Sequence, residues 1–340
     1  MDGMSHAAFR GICFDYGADG ATTEMIPALA CARAKKKRLP VLHALMMRGP
    51  GERHLAAQII GNDPGIMAQA AKRLESLGYY DAIEINMGCP ARSVVGSGNG
   101  SAILRDVGLA ERIIRAVCES VEMPVRLKLR LGWDERSITA PEIARIAEDA
   151  GCAGLILHGR TRDQMYRGEV QLESMLRVRE AVKLPIFANG AVEHPGDAAI
   201  FARKTRADGV CIGRAALKTP WIFDDIRRLE AGEPLPERDA VERIGILLRL
   251  AEGICLQKAE DLAMCEMRKF SRWYLPGLTG AGEVCGRING VFTLEDFRRE
   301  LENYLDGLLR SNDIHIHPEL EPEWTLDTVR RGEKARLKSV

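Results

Sequence analysis

An apolar run ends in a cysteine and a proline at Ala82-Ile83-Glu84-Ile85-Asn86-Met87-Gly88-Cys89-Pro90. The run has the length of a buried strand, and Pro90 ends it because proline has no N–H for a strand ladder. An isolated cysteine is more often a small buried hydrophobe. Here Gly88 leaves the sulfur uncrowded, and a Gly-rich segment, residues 96–101, follows at once. We predict that Cys89 stands at the C-terminal end of a strand, where β/α proteins carry out chemistry.

Short apolar runs alternate with longer amphipathic ones through the first two thirds of the chain. This alternation predicts parallel βαβ units, and its spacing is typical of an α/β fold of the (β/α)₈ TIM-barrel class. Only seven strands are visible rather than eight. The predicted strands cover 20–24, 56–61, 82–86, 125–131, 154–158, 186–189 and 209–213, and the predicted helices cover 65–77, 109–121, 140–150, 172–182 and 195–204.

The pattern changes after residue 213. A helix begins near Pro220, and Gly232-Glu233-Pro234-Leu235-Pro236 is typical of a linker. Beyond it, apolar residues recur at helical spacing over 239–259, 261–274 and 293–309. The sequence therefore predicts a barrel domain over 1–231, a small all-α domain over 236–311, and a tail over 312–340.

Composition excludes several classes of protein. Lys plus Arg and Asp plus Glu both total 48 among 340 residues, so the formal net charge is zero. An anionic partner must therefore bind to a local patch of basic residues. Nine cysteines without a CxxC pair argue against a disulfide framework and predict a cytoplasmic, reducing setting. His315-Ile316-His317 has no further ligand at metal-binding spacing, so we expect no metal site. No signal-peptide core or long apolar run is present, and we expect no membrane association.

Two strand ends are rich in small residues, at Ala188-Asn189-Gly190-Ala191 and Ile212-Gly213-Arg214-Ala215. Glycine lets backbone N–H groups approach an anion, and the loops after barrel strands seven and eight are a common phosphate site. Two ordinary glycine turns are the alternative. We predict that these ends bind the phosphate of a cofactor.

Three other strands carry polar residues toward the same end. Lys128 would be costly to bury without an accepting partner, Gln58 interrupts an apolar strand, and His158 ends another. A single histidine of this kind is more often a core residue whose ring nitrogens are hydrogen-bonded within the protein. Together, an amide, a lysine and a histidine beside a phosphate site suit an isoalloxazine ring, which needs donors and a positive charge at its polar edge.

These motifs resemble the tRNA-dihydrouridine synthases, a family of FMN-dependent barrel enzymes with a C-terminal helical RNA-binding domain. Weaker matches, Asp2-Gly3 with Phe9-Arg10 and Arg268-Lys269 with Trp273-Tyr274, extend the resemblance over roughly residues 1–310. The matching strings are Ile85-Asn86-Met87-Gly88-Cys89-Pro90, Leu127-Lys128-Leu129-Arg130-Leu131-Gly132-Trp133, His158-Gly159-Arg160-Thr161-Arg162, Ala188-Asn189-Gly190 and Ile212-Gly213-Arg214-Ala215.

The resemblance implies an oxidoreductase that reduces uridine to 5,6-dihydrouridine in tRNA. It implies FMN as cofactor and NADPH as reductant, with hydride passing from flavin N5 to uracil C6 and a proton from Cys89 to C5. A free thiol is mostly protonated at neutral pH and can act as a general acid. We therefore expect Cys89 to lie away from Lys128. The residues implied in FMN binding are Gln58, Lys128, His158, Asn189, Gly190, Ala191, Gly213 and Arg214.

The resemblance also implies how RNA is held. Asn86 and Tyr166 would contact the uridine, which must leave its stack to react. Arg268, Lys269 and Arg272, with Arg287, would meet the tRNA backbone from the helical domain. The basic run 33–38 is either a further RNA contact or a solvated loop. We expect the protein to be a monomer.

Two other functions stay open. Another FMN barrel acting on a free pyrimidine, of the dihydroorotate dehydrogenase type, gives no reason for the basic helical domain. A non-catalytic RNA-binding protein on a decayed barrel is disfavoured by the intact Cys89 and by both phosphate-binding ends.

The chain departs from the family's pattern at two places. Gly96-Ser97 stands where many members of the family carry a basic pair, so the uridine modified does not follow from the resemblance. Met1-Asp2-Gly3 matches the end of the turn that follows the family's first strand. We therefore expect that strand to be missing or truncated and the natural start to lie upstream.

Overall fold

Eight parallel strands form one sheet in the first of two compact units, Met1–Pro234 and Leu235–Val340. The structure is a computed structural model that describes residues 3–34 and 46–317. Most of the basic run 33–38, the start Met1-Asp2 and the tail beyond residue 317 lie outside the described residues.

The strands follow the order β1-β3-β4-β5-β6-β7-β8, with β2 beside β3. All seven predicted strands are present, and β2 is an addition too short to leave a sequence signal. Among the described residues, β1 and β8 end the sheet and do not pair with each other. The strands are β1 Gly20–Thr22, β2 Ile26–Pro27, β3 His54–Ile60, β4 Ala82–Met87, β5 Val125–Arg130, β6 Gly154–His158, β7 Ile186–Asn189 and β8 Gly209–Cys211.

Helices connect successive strands from β2 onward, while a short loop joins β1 to β2. This alternation confirms the predicted TIM-barrel class. Acidic side chains cap two of these helices: Asp63 accepts from the Ile66 amide at 2.8 Å and Asp106 from the Leu109 amide at 2.9 Å. The helices are α1 Ala7–Asp15, α2 Ala28–Arg33, α3 Pro64–Glu75, α4 Arg92–Gly96, α5 Val107–Cys118, α6 Ala140–Asp149, α7 Leu172–Ala181, α8 Asp197–Thr205, α9 Arg214–Lys218 and α10 Ile222–Ala231, with a 3₁₀ turn at Gly100–Arg105.

Strand β4 shows how the barrel divides its residues. All six of its residues are buried, and Ile83, Ile85 and Met87 have no solvent exposure. Glu84 and Asn86 alternate with them, so they face the other side of the sheet, as the two-residue period of a strand requires. A parallel sheet covered by helices buries its outer face in apolar contacts, which leaves the polar residues for the interior.

The second unit is helical, as predicted. Asp239 and Thr293 cap its first and last helices, and Leu247, Phe270 and Phe297 lie fully buried in its core. The short third helix was missed because Gly280, Gly282 and Gly286 dilute its apolar pattern. The helices are α11 Ala240–Cys255, α12 Glu260–Tyr274, α13 Ala281–Ile288 and α14 Leu294–Ser311.

Within residues 3–34 and 46–317, no helix is long and apolar enough to cross a bilayer, and no group of three potential metal ligands occurs. His315 and His317 instead contact carboxylates, Glu237 at 3.1 Å and Asp313 at 2.6 Å.

Candidate active site

The Cys89 loop follows β4 at the carboxyl end of the sheet. The carbonyl of Cys89 accepts from the Ser101 amide at 3.0 Å and from the Ser101 hydroxyl at 2.9 Å. Gly100 has φ +58°, and a Cβ there would lie 2.7 Å from the Cys89 carbonyl oxygen. The Gly-rich segment therefore supports the cysteine: glycine is needed where the chain passes closest to it.

A chain of side-chain amides runs from the barrel interior to this loop. Gln58 Nε2 donates to Glu84 Oε1 at 2.5 Å, and Asn86 Nδ2 donates to Gln58 Oε1 at 2.7 Å. These bonds fix the orientation of Asn86, whose Oδ1 accepts from the amides of Gly88 and Cys89, both at 3.0 Å. Strand β3 thereby helps to position a loop that follows β4.

Asn189 links three strands. Its Oδ1 accepts from Lys128 Nζ at 2.9 Å and from His158 Nδ1 at 3.0 Å, and its Nδ2 donates to the carbonyl of Cys211 at 2.7 Å. Strand pairing sets His158 directly beside Asn189. Burial lowers the pKa of Lys128 because it disfavours the charged amine. The hydrogen bond to Asn189 Oδ1 stabilises that charged form.

His158 is held in one tautomer. Because Asn189 Oδ1 accepts from Nδ1, that nitrogen carries the proton and Nε2 is the acceptor, 3.4 Å from an Arg160 guanidinium nitrogen. Burial lowers the pKa of His158 well below its ordinary value, and Arg130, Lys128 and Arg160 lower it further by charge repulsion. The imidazole is therefore neutral at physiological pH.

Arg130 binds two loops at once. Its guanidinium donates to the carbonyls of Gly88 at 2.9 Å, Thr161 at 2.8 Å and Met165 at 2.6 Å. The residue is 2% exposed, and burial lowers its pKa to about 10. One charged group thus joins the segment before Cys89 to the loop after β6.

Tyr166 projects from that second loop and is 41% exposed. The guanidinium carbon of Arg130 lies 5.3 Å from its ring centroid and that of Arg214 lies 5.0 Å away. The His158 ring meets it edge-on at 6.4 Å. The two guanidinium contacts are within the range of cation–π attraction, and part of the ring stays open to a ligand.

The ends of β7 and β8 carry amides that donate to no acceptor among the described residues: those of Gly190, Ala191, Gly213 and Arg214. Gly190 has φ +118°, and a Cβ there would lie 3.0 Å from His158 Nε2. Its carbonyl accepts from Arg160 at 2.6 Å. The chain needs glycine at this close approach, and the resulting turn offers N–H groups that suit an anion.

The structure brings all the predicted barrel residues to the carboxyl end of the sheet. Sequence reasoning missed Glu84, Arg130 and Arg160, although alternation with Asn86 and Lys128 places Glu84 and Arg130 on the inner face. The expectation that Cys89 lies away from Lys128 stays a prediction. Burial is the main cause that lowers the pKa of Lys128, and the charge of a Cys89 thiolate is the smallest of the effects that oppose it. Their strands are adjacent, and Asn86 pairs with Lys128.

The other three predicted residues lie on α12 of the second unit. Lys269 and Arg272 are exposed, and Arg272 donates to Asn289 at 3.2 Å. The Arg268 guanidinium lies 5.0 Å from the ring centroid of Phe292, which is 56% exposed. We name Arg268, Lys269, Arg272 and Phe292 the basic face.

Comparison with known proteins identifies the family. A family model described as dihydrouridine synthase matches residues 1–309. The chain belongs to the dihydrouridine synthase family. It is accordingly an enzyme, an oxidoreductase, as the sequence predicted.

Individual proteins that are similar to this chain carry names from the same family. tRNA-dihydrouridine synthase B of Pseudomonas aeruginosa is 38% identical over 291 residues, 85% of this chain and 86% of that protein. A probable tRNA-dihydrouridine synthase of Rickettsia conorii is 34% identical over 315 residues, 92% of this chain and 94% of that protein. Among solved structures, histamine dehydrogenase from Rhizobium sp. 4-9 has a TM-score of 0.48 at 14% identity, covering 74% of this chain and 46% of that one, a likeness too low to indicate function.

Replacing Gly190 by alanine should destabilise the barrel. The substitution forces a side chain into φ +118° and against His158, and we expect a loss of about 1–3 kcal/mol in the free energy of unfolding. Urea unfolding measures this loss. Gly96→Ala is the matched control, because that position has no atom within 4 Å of the added Cβ and no positive φ. Equal effects of the two changes would contradict the close approach at Gly190.

His158 should make stability depend on pH. Its pKa is lowered in the folded state, so the unfolded chain takes up a proton below about pH 6.5 while the folded chain does not. Stability contributed by the neutral imidazole is therefore complete above that pH and declines as pH falls toward the folded pKa. Between pH 7.5 and 5.5, wild type should lose about 1 kcal/mol more of its unfolding free energy than His158→Gln. Parallel curves would contradict a neutral, buried His158.

Proposed function

We propose that this enzyme reduces uridine to 5,6-dihydrouridine in tRNA, with FMN as cofactor and NADPH as reductant. Its family supports the chemistry, and its relatives at 34–38% identity carry names that specify tRNA. The observation that carries the proposal is one cluster at the barrel mouth. A hydrogen-bonded cysteine loop follows β4, a lysine paired with an amide lies on β5, and backbone amides without an acceptor among the described residues follow β7 and β8.

The residues present fit FMN. Lys128 brings a positive charge and Gln58 an amide to the barrel interior, as the polar edge of an isoalloxazine requires, and His158 stands beside them. The amides of Gly190, Ala191, Gly213 and Arg214, with the Arg214 guanidinium, suit a phosphate. Asn189 orients Lys128 between these two regions. When bound and reduced by NADPH, FMN supplies the hydride that uracil C6 receives.

Cys89 is the proposed proton donor to uracil C5. The bonds from Ser101 and to Asn86 hold its backbone, and Arg130 holds the preceding carbonyl of Gly88. These contacts restrict where the thiol can lie, which is the main requirement for a general acid. Giving up the proton leaves a thiolate, and the charges of Lys128 and Arg130 stabilise it.

Asn86 and Tyr166 are the proposed contacts of the extruded uridine. The half-exposed Tyr166 ring offers a face on which a base can stack, a contact worth about 1–3 kcal/mol in single-stranded RNA complexes. Arg130 fixes the carbonyl of the residue before Tyr166. The ring is thereby tied to the same guanidinium that positions the Cys89 loop.

The basic face is the proposed tRNA contact of the helical domain, 236–311, while 1–231 is the catalytic domain. Lys269 and Arg272 offer charge for phosphates, and Phe292 under Arg268 offers an apolar surface. An enzyme acting on a free pyrimidine would need no such surface. This observation favours tRNA over the dihydroorotate dehydrogenase type.

Mapping dihydrouridine in tRNA from cells with and without this chain tests the proposed function. Loss of dihydrouridine from at least one position, restored by re-expression, is expected. An unchanged set of modified positions, in cells with no second enzyme of the family, would contradict it.

Cys89→Ala should separate the two halves of the reaction. We expect unchanged flavin content and NADPH oxidation, but a fall of about 10²–10⁴-fold in uridine reduction, the usual contribution of a general acid. Cys255→Ala is the control, since it removes a half-buried thiol from α11 of the second unit. Full activity of Cys89→Ala on tRNA would contradict the assignment.

Lys269→Glu should weaken tRNA binding without affecting the flavin. The lost phosphate contact should lower the slope of log K against log salt concentration by about one. Lys183→Glu carries the same charge change on an exposed residue at the amino end of β7 and should leave binding unchanged. If both variants bind tRNA as wild type does, the basic face is not the contact.

A further inference from the structure

Two cysteines lie together far from the barrel mouth. Cys118 is the last residue of α5, and Cys152 lies between α6 and β6. Their sulfurs are 3.6 Å apart and the residues are 34 positions apart in sequence. A disulfide bond is about 2.05 Å long, so the sulfurs need to approach by about 1.5 Å, within the reach of side-chain rotation.

The two thiols differ in access. Cys152 is 4% exposed, whereas Cys118 is half-buried and open to small solutes. The hydrogen bond from Cys152 lowers the pKa of the Cys118 thiol, although burial opposes it. The same bond and burial raise the pKa of Cys152. Because Cys118 is the more accessible of the two, it is the thiol that meets an oxidant first, and Cys152 lies next to it as the resolving thiol.

Their place in the barrel sets them apart from the proposed chemistry. Cys118 precedes β5 and Cys152 precedes β6, so both lie at the amino ends of their strands. Cys89, Lys128 and His158 lie at or toward the carboxyl ends. A bond between Cys118 and Cys152 would join two adjacent βα units without entering the mouth.

We propose that Cys118 and Cys152 form a reversible disulfide on exposure to a peroxide. The Cys118 thiolate attacks one peroxide oxygen and breaks the O–O bond, giving a sulfenic acid and releasing water once the leaving oxygen is protonated. The Cys152 sulfur then attacks the Cys118 sulfur, loses its proton, and displaces the hydroxyl as a second water. The two thiols lose two electrons, which the peroxide gains. A dithiol reductant reverses the bond by exchange.

The disulfide should stabilise the barrel. The bond would close a loop between two residues 34 positions apart, which removes chain entropy from the unfolded state. For a protein of this size we expect Tm to rise by about 5–10 °C.

Peptide mapping of the full-length protein tests the proposal. The reduced protein is treated with hydrogen peroxide near equimolar to Cys118, then alkylated and digested with trypsin. Cleavage after arginine yields peptides 116–126 and 146–160, each with one cysteine. We expect these two peptides joined, lighter than their sum by two hydrogen atoms, and separated by dithiothreitol. The exposed Cys265 is the internal control, since no hydrogen bond to another thiol is found for it among the described residues.

Cys118→Ser and Cys152→Ser provide the matched variants. Compared with its own untreated form, each variant should show neither the joined peptide nor a rise in Tm on oxidation. The proposal is overturned if peptides 116–126 and 146–160 stay separate when Cys265 is already oxidised. It is overturned equally if the joined peptide forms only after the protein has been unfolded in urea.

Discussion

A buried guanidinium organises the barrel mouth. Arg130 is surrounded by carbonyl groups from two loops, and it satisfies its charge by donating to Gly88, Thr161 and Met165. A buried charge without such partners would cost several kcal/mol, so the fold and the two loops stabilise each other. Arg130 thereby connects the loop that carries Cys89 to the loop that carries Tyr166.

The other buried polar side chains of the barrel mouth are also held by hydrogen bonds to one another. A parallel barrel directs alternate strand residues inward, and each polar one must find a partner there. Asn189 accepts hydrogen bonds from Lys128 and His158, and Glu84 accepts one from Gln58. Because an unsatisfied buried group costs about 1–3 kcal/mol, replacing one member should disturb its neighbours. Their energies should therefore be coupled rather than additive.

Much of this could be predicted from local pattern. The alternation of strands and helices gave the fold class, and glycine with proline marked the ends where Cys89 and Asn189 stand. The partners could not be predicted, because they depend on register between strands far apart in sequence. Arg130 reaches a carbonyl 42 positions away, and Asn189 an amine 61 positions away. Helix α13 was missed because its glycines hide the apolar period, and Cys118 with Cys152 shows no motif at all.

Reconstitution with purified components tests the central claim, that this mouth reduces uridine in tRNA, most directly. The protein is loaded with FMN and incubated with NADPH and unmodified tRNA transcripts, and the nucleosides are then analysed by mass spectrometry. The account predicts that a uridine gains two hydrogen atoms in at least one transcript, and only when protein, FMN and NADPH are all present. NADPH oxidation by the loaded protein with no dihydrouridine in any transcript of a complete tRNA set would contradict it.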